Sequence, residues 1–283
     1  MRGRILLMVV LASVAAAPAG CDRPPPAATG RADVAEPPAD SSAQPRKGVR
    51  MPLADGFEGD SVAGFWLPGN YGTGSHQPGA VVISQDYARS GTHSMRITVK
   101  EGDIGARGDD GQRVERAELD SGHYPLLGRD VWYGFSFLLP PGFPIVNNRL
   151  VIASCKQSDV EGSPLIGQRF RGGKHSVTIR APGVSGIGKS HPLPDIQLGR
   201  WNDMVYHVRY STGNDGIIEV WMNGARVISY RGTTASKEGA DRFYHKVGLY
   251  RDRWKEPMTM YLDNYTLGGS FDGVDPSTFD RRP

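Results

Sequence analysis

Cysteine is nearly absent from this chain of 283 residues, which contains only Cys21 and Cys155. Cys21 ends an N-terminal apolar segment, so it is expected either to carry a lipid or to leave with a cleaved signal. Cys155 then has no partner, which excludes a disulfide framework in the folded domain. Its alternation with Val151 and Ala153 predicts a small, buried side chain.

Metal-binding patterns are also missing. The seven His residues are scattered without the spacing of metal ligands, and Asp109-Asp110-Gly111 lacks the rest of a calcium loop. The sequence therefore predicts no catalytic metal and no required cofactor.

An excess of charge is missing from the folded part of the chain. The net charge is +3, but residues 1–50 hold seven Lys and Arg against four Asp and Glu, which leaves 26 of each sign in residues 51–283. Binding of nucleic acid by bulk electrostatics is thus not indicated. Any affinity for a polyanion must come from cations that the fold brings together.

Long apolar segments are confined to the N-terminus. Residues 1–21 combine Arg2 and Arg4 with an apolar stretch at 5–14 and small residues up to Cys21. This is the pattern of a secretory signal, and it is too short to span a bilayer as a stable helix. We therefore expect export.

The end of this segment indicates a lipid anchor. Ala19-Gly20-Cys21 matches the end of a bacterial lipobox, although Pro18 stands where Leu is usual, and ordinary cleavage after Ala19 is the alternative. Residues 22–50 are rich in Pro and Ala and are predicted to be a disordered linker. We expect lipidation at Cys21, a periplasmic or outer-membrane lipoprotein or a secreted protein, and no other contact with a membrane.

The pattern of residues 51–283 predicts one all-β domain. The sequence has 37 Gly and 21 Pro, no long segment with a helical period and no fixed repeat. Short alternating segments separated by turn residues predict a β-sandwich of jelly-roll type, with one curved sheet forming a groove. The predicted strands are 81–84, 94–99, 113–119, 132–138, 150–156, 176–180, 203–210, 217–222, 226–230, 243–250 and 259–267.

Two turns in this pattern have a sequence signature. Asn223-Gly224 predicts a two-residue hairpin of the primed type. Residues 170–190 are rich in Gly and cations, which is compatible with a mobile flap over the groove or with an ordinary hairpin loop.

Residues 244–252 carry the most informative functional pattern. Strand alternation places Tyr244, Lys246, Gly248 and Tyr250 on one face, and the intervening residues look like core. On an open face, Lys246 can hold a carboxylate, Gly248 leaves room for a sugar ring and Tyr250 can transfer a proton. The alternative is a half-buried strand whose Lys and Tyr side chains snorkel at its edge.

A second element, 113–119, places Arg116 and Glu118 on one face. Glu118 can fix the guanidinium fork of Arg116, which then offers its other donors to a substrate carboxylate. The alternative is an exposed ion pair of little energetic weight.

These two motifs resemble those of jelly-roll polysaccharide lyases, namely alginate lyases, glucuronan lyases and the heparin lyase I group. Arg-x-Glu-Leu at 116–119 and Tyr-x-Lys-x-Gly-x-Tyr at 244–250 occur there in this order. Further similarity covers 130–137, 198–203, 219–224 and 261–264, so the resemblance extends over roughly residues 52–270. It implies a concanavalin A-like β-sandwich and a substrate of the alginate, glucuronan or glycosaminoglycan type.

One strand departs from the family pattern. A central strand of these lyases usually carries Gln-x-His or Gln-x-Lys toward the groove, whereas this chain has Ser154 and Lys156 at those positions. The usual His base is therefore expected to be absent. Lys156 would neutralise the substrate carboxylate or act as the base, and a surface Lys at a strand end is the alternative.

The resemblance implies cleavage of a uronic-acid polymer by β-elimination. Arg116, with Lys156 or Lys246, would neutralise the uronate carboxylate, and Tyr250 would be base, acid or both, its ionised form favoured by Lys246 and Arg251. The residues predicted to bind substrate are Lys246, Glu118, Tyr244, Arg113 and Arg251.

Two other functions are compatible with the sequence. A carbohydrate-binding, lectin-like sandwich without activity is the main alternative, and a glycoside hydrolase is the third, because no closely spaced Glu and Asp set for hydrolysis is present on one strand face. By analogy with related sandwiches, Glu58 and Asp263 could share a structural calcium. We expect a monomer.

Overall fold

A computed structural model describes residues 51–68, 77–103, 114–184 and 186–281. Two antiparallel sheets contain all the described strands, as the sequence predicted. The strands in chain order are β1 (Leu53–Asp55), β2 (Leu67–Pro68), β3 (Val81–Ser84), β4 (Ser94–Val99), β5 (Val114–Asp120), β6 (Tyr124–Pro125), β7 (Asp130–Leu138), β8 (Leu150–Gln157), β9 (Ile166–Arg171), β10 (Lys174–Ile179), β11 (Lys189–Pro192), β12 (Trp201–Arg209), β13 (Gly216–Met222), β14 (Ala225–Gly232), β15 (Arg242–Asp252) and β16 (Met258–Gly268).

One sheet has the order β14-β13-β12-β7-β16-β4-β3, with β1 beside β16. The other, here called the groove sheet, has the order β11-β10-β9-β8-β15-β5-β2, with β6 beside β15. A short helix α1 (Phe271–Val274) and a 3₁₀ helix (Pro276–Arg281) follow the last strand. None of the helices in the described ranges is long and apolar enough to cross a membrane.

The core lies between the two sheets and follows from strand alternation. Alternate residues of β7 are fully buried in it, and the groove sheet adds the inward residues of β8 and β15. His245, Val247 and Leu249 are all buried in this layer, as predicted for the inward face of β15. Cys155 is likewise buried, and burial raises the pKa of its thiol to about 12, so it is an inert core residue.

The predicted hairpin at Asn223-Gly224 is confirmed. Both residues have positive φ, 51° and 80°, as a primed turn between β13 and β14 requires.

The segment 170–190 is ordinary hairpin structure in the part that the structure describes. Gly172 and Gly173, both at positive φ, join β9 to β10, and β10 pairs in turn with β11. Strand β9 was not predicted, and β10 begins at Lys174, two residues before the predicted start.

The predictions for residues 1–50, including the signal, Cys21 and the linker, lie outside the described residues. Arg113, the first residue of a predicted strand and a predicted substrate contact, also lies outside them.

Candidate active site

Strand register sets which side chains meet on the exposed face of the groove sheet. Tyr250 on β15 pairs with Arg116 on β5 and with Val151 on β8. Further along β15, Lys246 pairs with Asp120 and Ser154, while Tyr244 pairs with Lys156. The two sequence motifs therefore lie on neighbouring strands, and their side chains form rows perpendicular to the strand direction.

Tyr250 is the centre of a cationic cluster. The guanidinium carbon of Arg116 lies 4.5 Å from the centroid of the Tyr250 ring, and that of Arg149 lies 5.2 Å from it. Arg149 is held in turn by two hydrogen bonds to Asp252, at 3.0 and 2.6 Å. Two guanidinium groups thus lie over one phenol ring and place positive charge beside it.

An open cavity of about 460 Å³ adjoins this cluster and is here called the first cavity. Tyr250, Glu118, Arg149 and Arg169 line it, together with Ser154. The Arg169 side chain donates a 3.0 Å hydrogen bond from Nε to Thr178, which fixes its direction. The lining contains a phenol and two guanidinium groups, which suit an acidic sugar, and one carboxylate, which is paired with Arg116.

The predicted pair of Arg116 and Glu118 is present and buried. Arg116 Nη1 lies 3.8 Å from Glu118 Oε2, and their side chains are 3% and 7% exposed. A pair so withdrawn from water differs from the exposed ion pair that was the alternative, because an isolated buried charge is costly and needs its partner. Glu118 is placed to orient Arg116 next to Tyr250.

Gly248 has a structural role that the sequence did not indicate. Its φ is 140°, and a β-carbon there would collide with the Ala117 carbonyl oxygen on β5. The pairing of β15 with β8 is irregular between Val247 and Tyr250. Gly248 thus permits a close approach of two strands at a bulge, which directs the Tyr250 side chain, whereas the prediction was that it makes space for a sugar ring.

A second cluster surrounds Tyr244. The His123 ring stacks on the Tyr244 ring at 4.1 Å between centroids, and His123 contacts Asp120 at 3.3 Å and Ser158 at 2.9 Å. The Lys246 ammonium lies 5.6 Å from the centroid of the Tyr244 ring. Tyr244 and Lys246 are each 1% exposed, so this face of β15 is much less open than predicted.

Lys156 belongs to the end of the groove that holds this second cluster. It lines a larger open cavity of about 1110 Å³, here called the second cavity, whereas Tyr250 lines the first. Ser163 and Pro164 line both cavities, so their loop stands between the two. The backbone positions opposite Tyr250 and at Lys156 are five residues apart on β8, roughly 16 Å along a strand.

Arg251 is not in the groove, so its prediction as a substrate contact is wrong. Its side chain is 0% exposed and pairs at 2.9 Å with Glu115, which is also 0% exposed. It also donates to the carbonyl oxygens of Trp254 and Glu256. Because it follows Tyr250 on a strand, it projects from the other side of the sheet and cannot favour the ionised phenol as predicted.

Arg149 and His123, which belong to the two clusters just described, were not identified from the sequence. Arg149 directly precedes β8, and His123 follows β5 after Ser121 and Gly122. Their only sequence signal is this position at the end of a motif strand, where a loop often carries functional residues.

The predicted calcium ligands lie close enough to interact. Burial raises the pKa of Asp263 to about 7, and the charge of Glu58 adds to the rise. Each carboxylate already accepts backbone N–H groups, Asp263 from Arg89 and Glu58 from Thr92 and His93. The described ranges contain no group of three or more His, Cys, Asp and Glu side chains arranged for a metal. Two neighbouring carboxylates fit the oxygen preference of calcium, and the shared calcium stays a prediction.

Comparisons with known proteins agree with this architecture. A family model described as polysaccharide lyase matches residues 64–266, and the chain therefore belongs to that family. No curated protein matches the chain.

Several solved structures share the fold at low identity. A glucuronan lyase from the fungus Trichoderma reesei has a TM-score of 0.58 at 18% identity, over 75% of this chain and 98% of its own. An alginate lyase in complex with an alginate trisaccharide has a TM-score of 0.53 at 13% identity, over 79% and 100%. A cellulose-induced protein, Cip1, has a TM-score of 0.51 at 14% identity, over 77% and 97%. These similarities show the fold, a jelly-roll sandwich.

Proposed function

We propose that this polysaccharide lyase cleaves an anionic polysaccharide that contains uronic acid, by β-elimination, and releases unsaturated oligosaccharides. The observation that carries the proposal is the Tyr250 phenol between the guanidinium groups of Arg116 and Arg149, beside a cavity that also contains Arg169. The glucuronan and alginate lyases of similar fold support an acidic polymer as the substrate.

The chemistry explains why cations surround the phenol. The proton at C5 of a uronate is weakly acidic because the neighbouring carboxylate resists a second negative charge. Guanidinium groups that bind this carboxylate stabilise the enolate-like state that forms when the proton leaves. Arg116 is the first candidate, since Glu118 orients it, and Arg149 and Arg169 are the additional donors.

Tyr250 is proposed to transfer the proton. As phenolate it takes the C5 proton, the electron pair forms the C4–C5 double bond, and the bond from C4 to the glycosidic oxygen breaks. The leaving oxygen then needs a proton, which the newly formed phenol can return. The proposed reaction requires no cofactor.

Lys156 is the competing base. Its place in the second cavity favours a role in binding a part of the polysaccharide that is distant from Tyr250. His123 and Lys246 lie at the same end of the groove. A catalytic role for Lys156 requires the scissile bond to lie at that end. If Tyr250 is the base, Tyr250→Phe should be inactive; if Lys156 is the base, Lys156→Ala should be inactive.

The test is a direct assay of the purified protein. Alginate, glucuronan, heparin and hyaluronan are each incubated with it, and the ultraviolet absorbance of the unsaturated uronate is followed. Growth of the band with any one of them supports the proposal. Release of reducing ends without the band would indicate hydrolysis, and binding without either product would indicate the lectin-like alternative.

We further propose export as a monomeric lipoprotein with Cys21 as the lipidated residue. Mass spectrometry of the mature protein distinguishes a diacylated Cys21 from ordinary cleavage after Ala19, and sedimentation measures the oligomeric state. Calcium at Glu58 and Asp263 is tested by the shift of the melting temperature on adding calcium, with Glu58→Gln as the variant that should lose the shift.

A further inference from the structure

The second cavity contains a guanidinium group that the proposed reaction does not use. Arg180 follows β10 and lines this cavity together with Lys156 and Glu161. One donor is engaged, because Nη2 donates to the Glu161 carbonyl oxygen at 3.2 Å. The Nε atom is buried and has no hydrogen-bond partner among the described residues.

Among the described residues, no carboxylate forms an ion pair with Arg180. Burial lowers the pKa of its guanidinium, and no charge among the described residues acts to raise it again. For two arginines in ion pairs a carboxylate acts in the opposite direction: Asp203 raises the pKa of Arg89, and Asp130 raises that of Arg209. A half-buried guanidinium with a spare donor at the wall of an open cavity is suited to an anionic group from outside the protein.

The position of the cavity decides what this anion would belong to. Both cavities lie on the groove sheet and share Ser163 and Pro164, so an extended ligand that passes this loop enters both. Tyr250 and Lys156 are separated by roughly 16 Å along β8, a distance longer than one sugar ring. A polymer bound with one uronate beside Tyr250 therefore reaches the second cavity several units further along.

We propose that the second cavity is a distal uronate subsite, in which Arg180 binds the carboxylate of a sugar several units away from the cleaved bond. The proposal rests on the proposed lyase function and specifies its substrate as an extended polyuronate. Lys156 also lines this cavity and places a second positive charge near the same sugar.

The acidic residues of the second cavity disfavour the binding of a carboxylate there. Asp159, Glu161 and Glu238 also line it, and all three are exposed. Exposed charges are screened by water and salt, whereas the half-buried Arg180 is screened less. The acidic rim restricts where a carboxylate can bind, namely at the wall beside Arg180.

The experiment uses a length series of oligouronates from the disaccharide to the octasaccharide, prepared from the polymer that the enzyme cleaves. For Arg180→Ala we expect KM to rise about tenfold for the longest oligomers, the loss of one charge-assisted hydrogen bond, with kcat unchanged. The shortest oligomers, which cannot span both cavities, should keep the KM of the wild type. Arg129→Ala is the matched control, because Arg129 is exposed and lines neither cavity, and it should change KM by less than about twofold.

A structural role of Arg180 gives a different pattern. If Arg180 only holds the Glu161 loop, Arg180→Ala either lowers kcat or raises KM equally at every length. Either result overturns the proposal.

Failure of the proposed function is distinguishable. If no polymer yields the unsaturated product, calorimetric binding of saturated oligouronates to the wild type and to Arg180→Ala still tests the subsite. Equal affinity of the two proteins for the longest oligomer, or no binding at all, would exclude it.

Discussion

Both faces of strand β15 contain buried ionisable residues, yet the two faces serve different purposes. On the core face, His245 and Arg251 are 1% and 0% exposed. Their partners come from the protein itself: Glu115 for Arg251, and the Tyr265 hydroxyl at 3.3 Å for His245. On the groove face, Tyr250 contacts Arg116 and Arg149 beside an open cavity. Burial alone therefore does not identify a functional charge, and the deciding property is whether the group adjoins space for a ligand.

The largest expected effect is on the core face. Arg251→Met leaves Glu115 as an uncompensated buried charge, so we expect the free energy of unfolding to fall by about 3–5 kcal/mol, measured by chemical denaturation. Arg253→Met is the matched exposed control and should stay within about 0.5 kcal/mol of the wild type. Loss of activity at unchanged stability would instead return Arg251 to the substrate.

Tyr250→Phe should give the largest effect on the groove face. It removes one oxygen while the ring remains between the two guanidinium groups, so elimination should fall by at least about a hundredfold with an unchanged melting temperature. The rate of unsaturated product formation measures this, and Tyr230→Phe on the other sheet is the control. If Tyr250→Phe stays active while Lys156→Ala is inactive, the catalytic role belongs to Lys156.

Arg116→Lys tests the orientation of charge rather than its presence. The ammonium group keeps the charge but loses the planar fork that Glu118 orients, so kcat/KM should fall on the order of a hundredfold. Arg171→Lys is the matched control, because Arg171 is exposed and bonds only to the side chain of Asn147 in the described structure. Near wild-type turnover of Arg116→Lys would show that the buried pair is purely structural.

The smallest expected effect concerns pH and again the core face. Burial lowers the pKa of His245 to about 3 and that of His175 to about 4. Both are therefore neutral when folded, and unfolding lets them bind protons below their ordinary pKa of about 6.5. The stability contributed by each neutral histidine is fully present above about pH 6.5 and is lost as the pH falls toward the pKa of the folded state. At about pH 5 the free energy of unfolding is lower by about 2 kcal/mol per residue.

His245→Gln removes one titrating group, so its stability should decline less steeply between about pH 6.5 and about pH 4. Denaturation midpoints across this range provide the measurement, and His175→Gln is the parallel variant. Curves that run parallel to the wild type would show that these histidines do not couple folding to pH.

Much of the fold could be predicted because strand alternation is a local property. The inward residues of β15 and the Asn223-Gly224 hairpin followed from strand spacing and turn chemistry, whereas the pairing of the two motif strands, β5 and β15, is a property of the fold. Strand β9 was missed because Gln168 breaks its apolar pattern. Gln168 is fully buried and is satisfied by the Tyr206 hydroxyl at 2.8 Å and by His175 at 3.0 Å, partners that only the folded chain brings near.

The sequence by itself determined the class of fold and which side chains of each motif strand share a face, since a period of two residues decides that. Only the tertiary structure decided which charged residues adjoin a cavity. Arg149 and Arg180 reach the groove from strand ends, Arg251 is directed into the core, and Lys156 lies beyond the loop that contains Ser163 and Pro164. The physical reason is that strand bulges, loop paths and ion-pair partners depend on residues far apart in the chain, which no local pattern encodes.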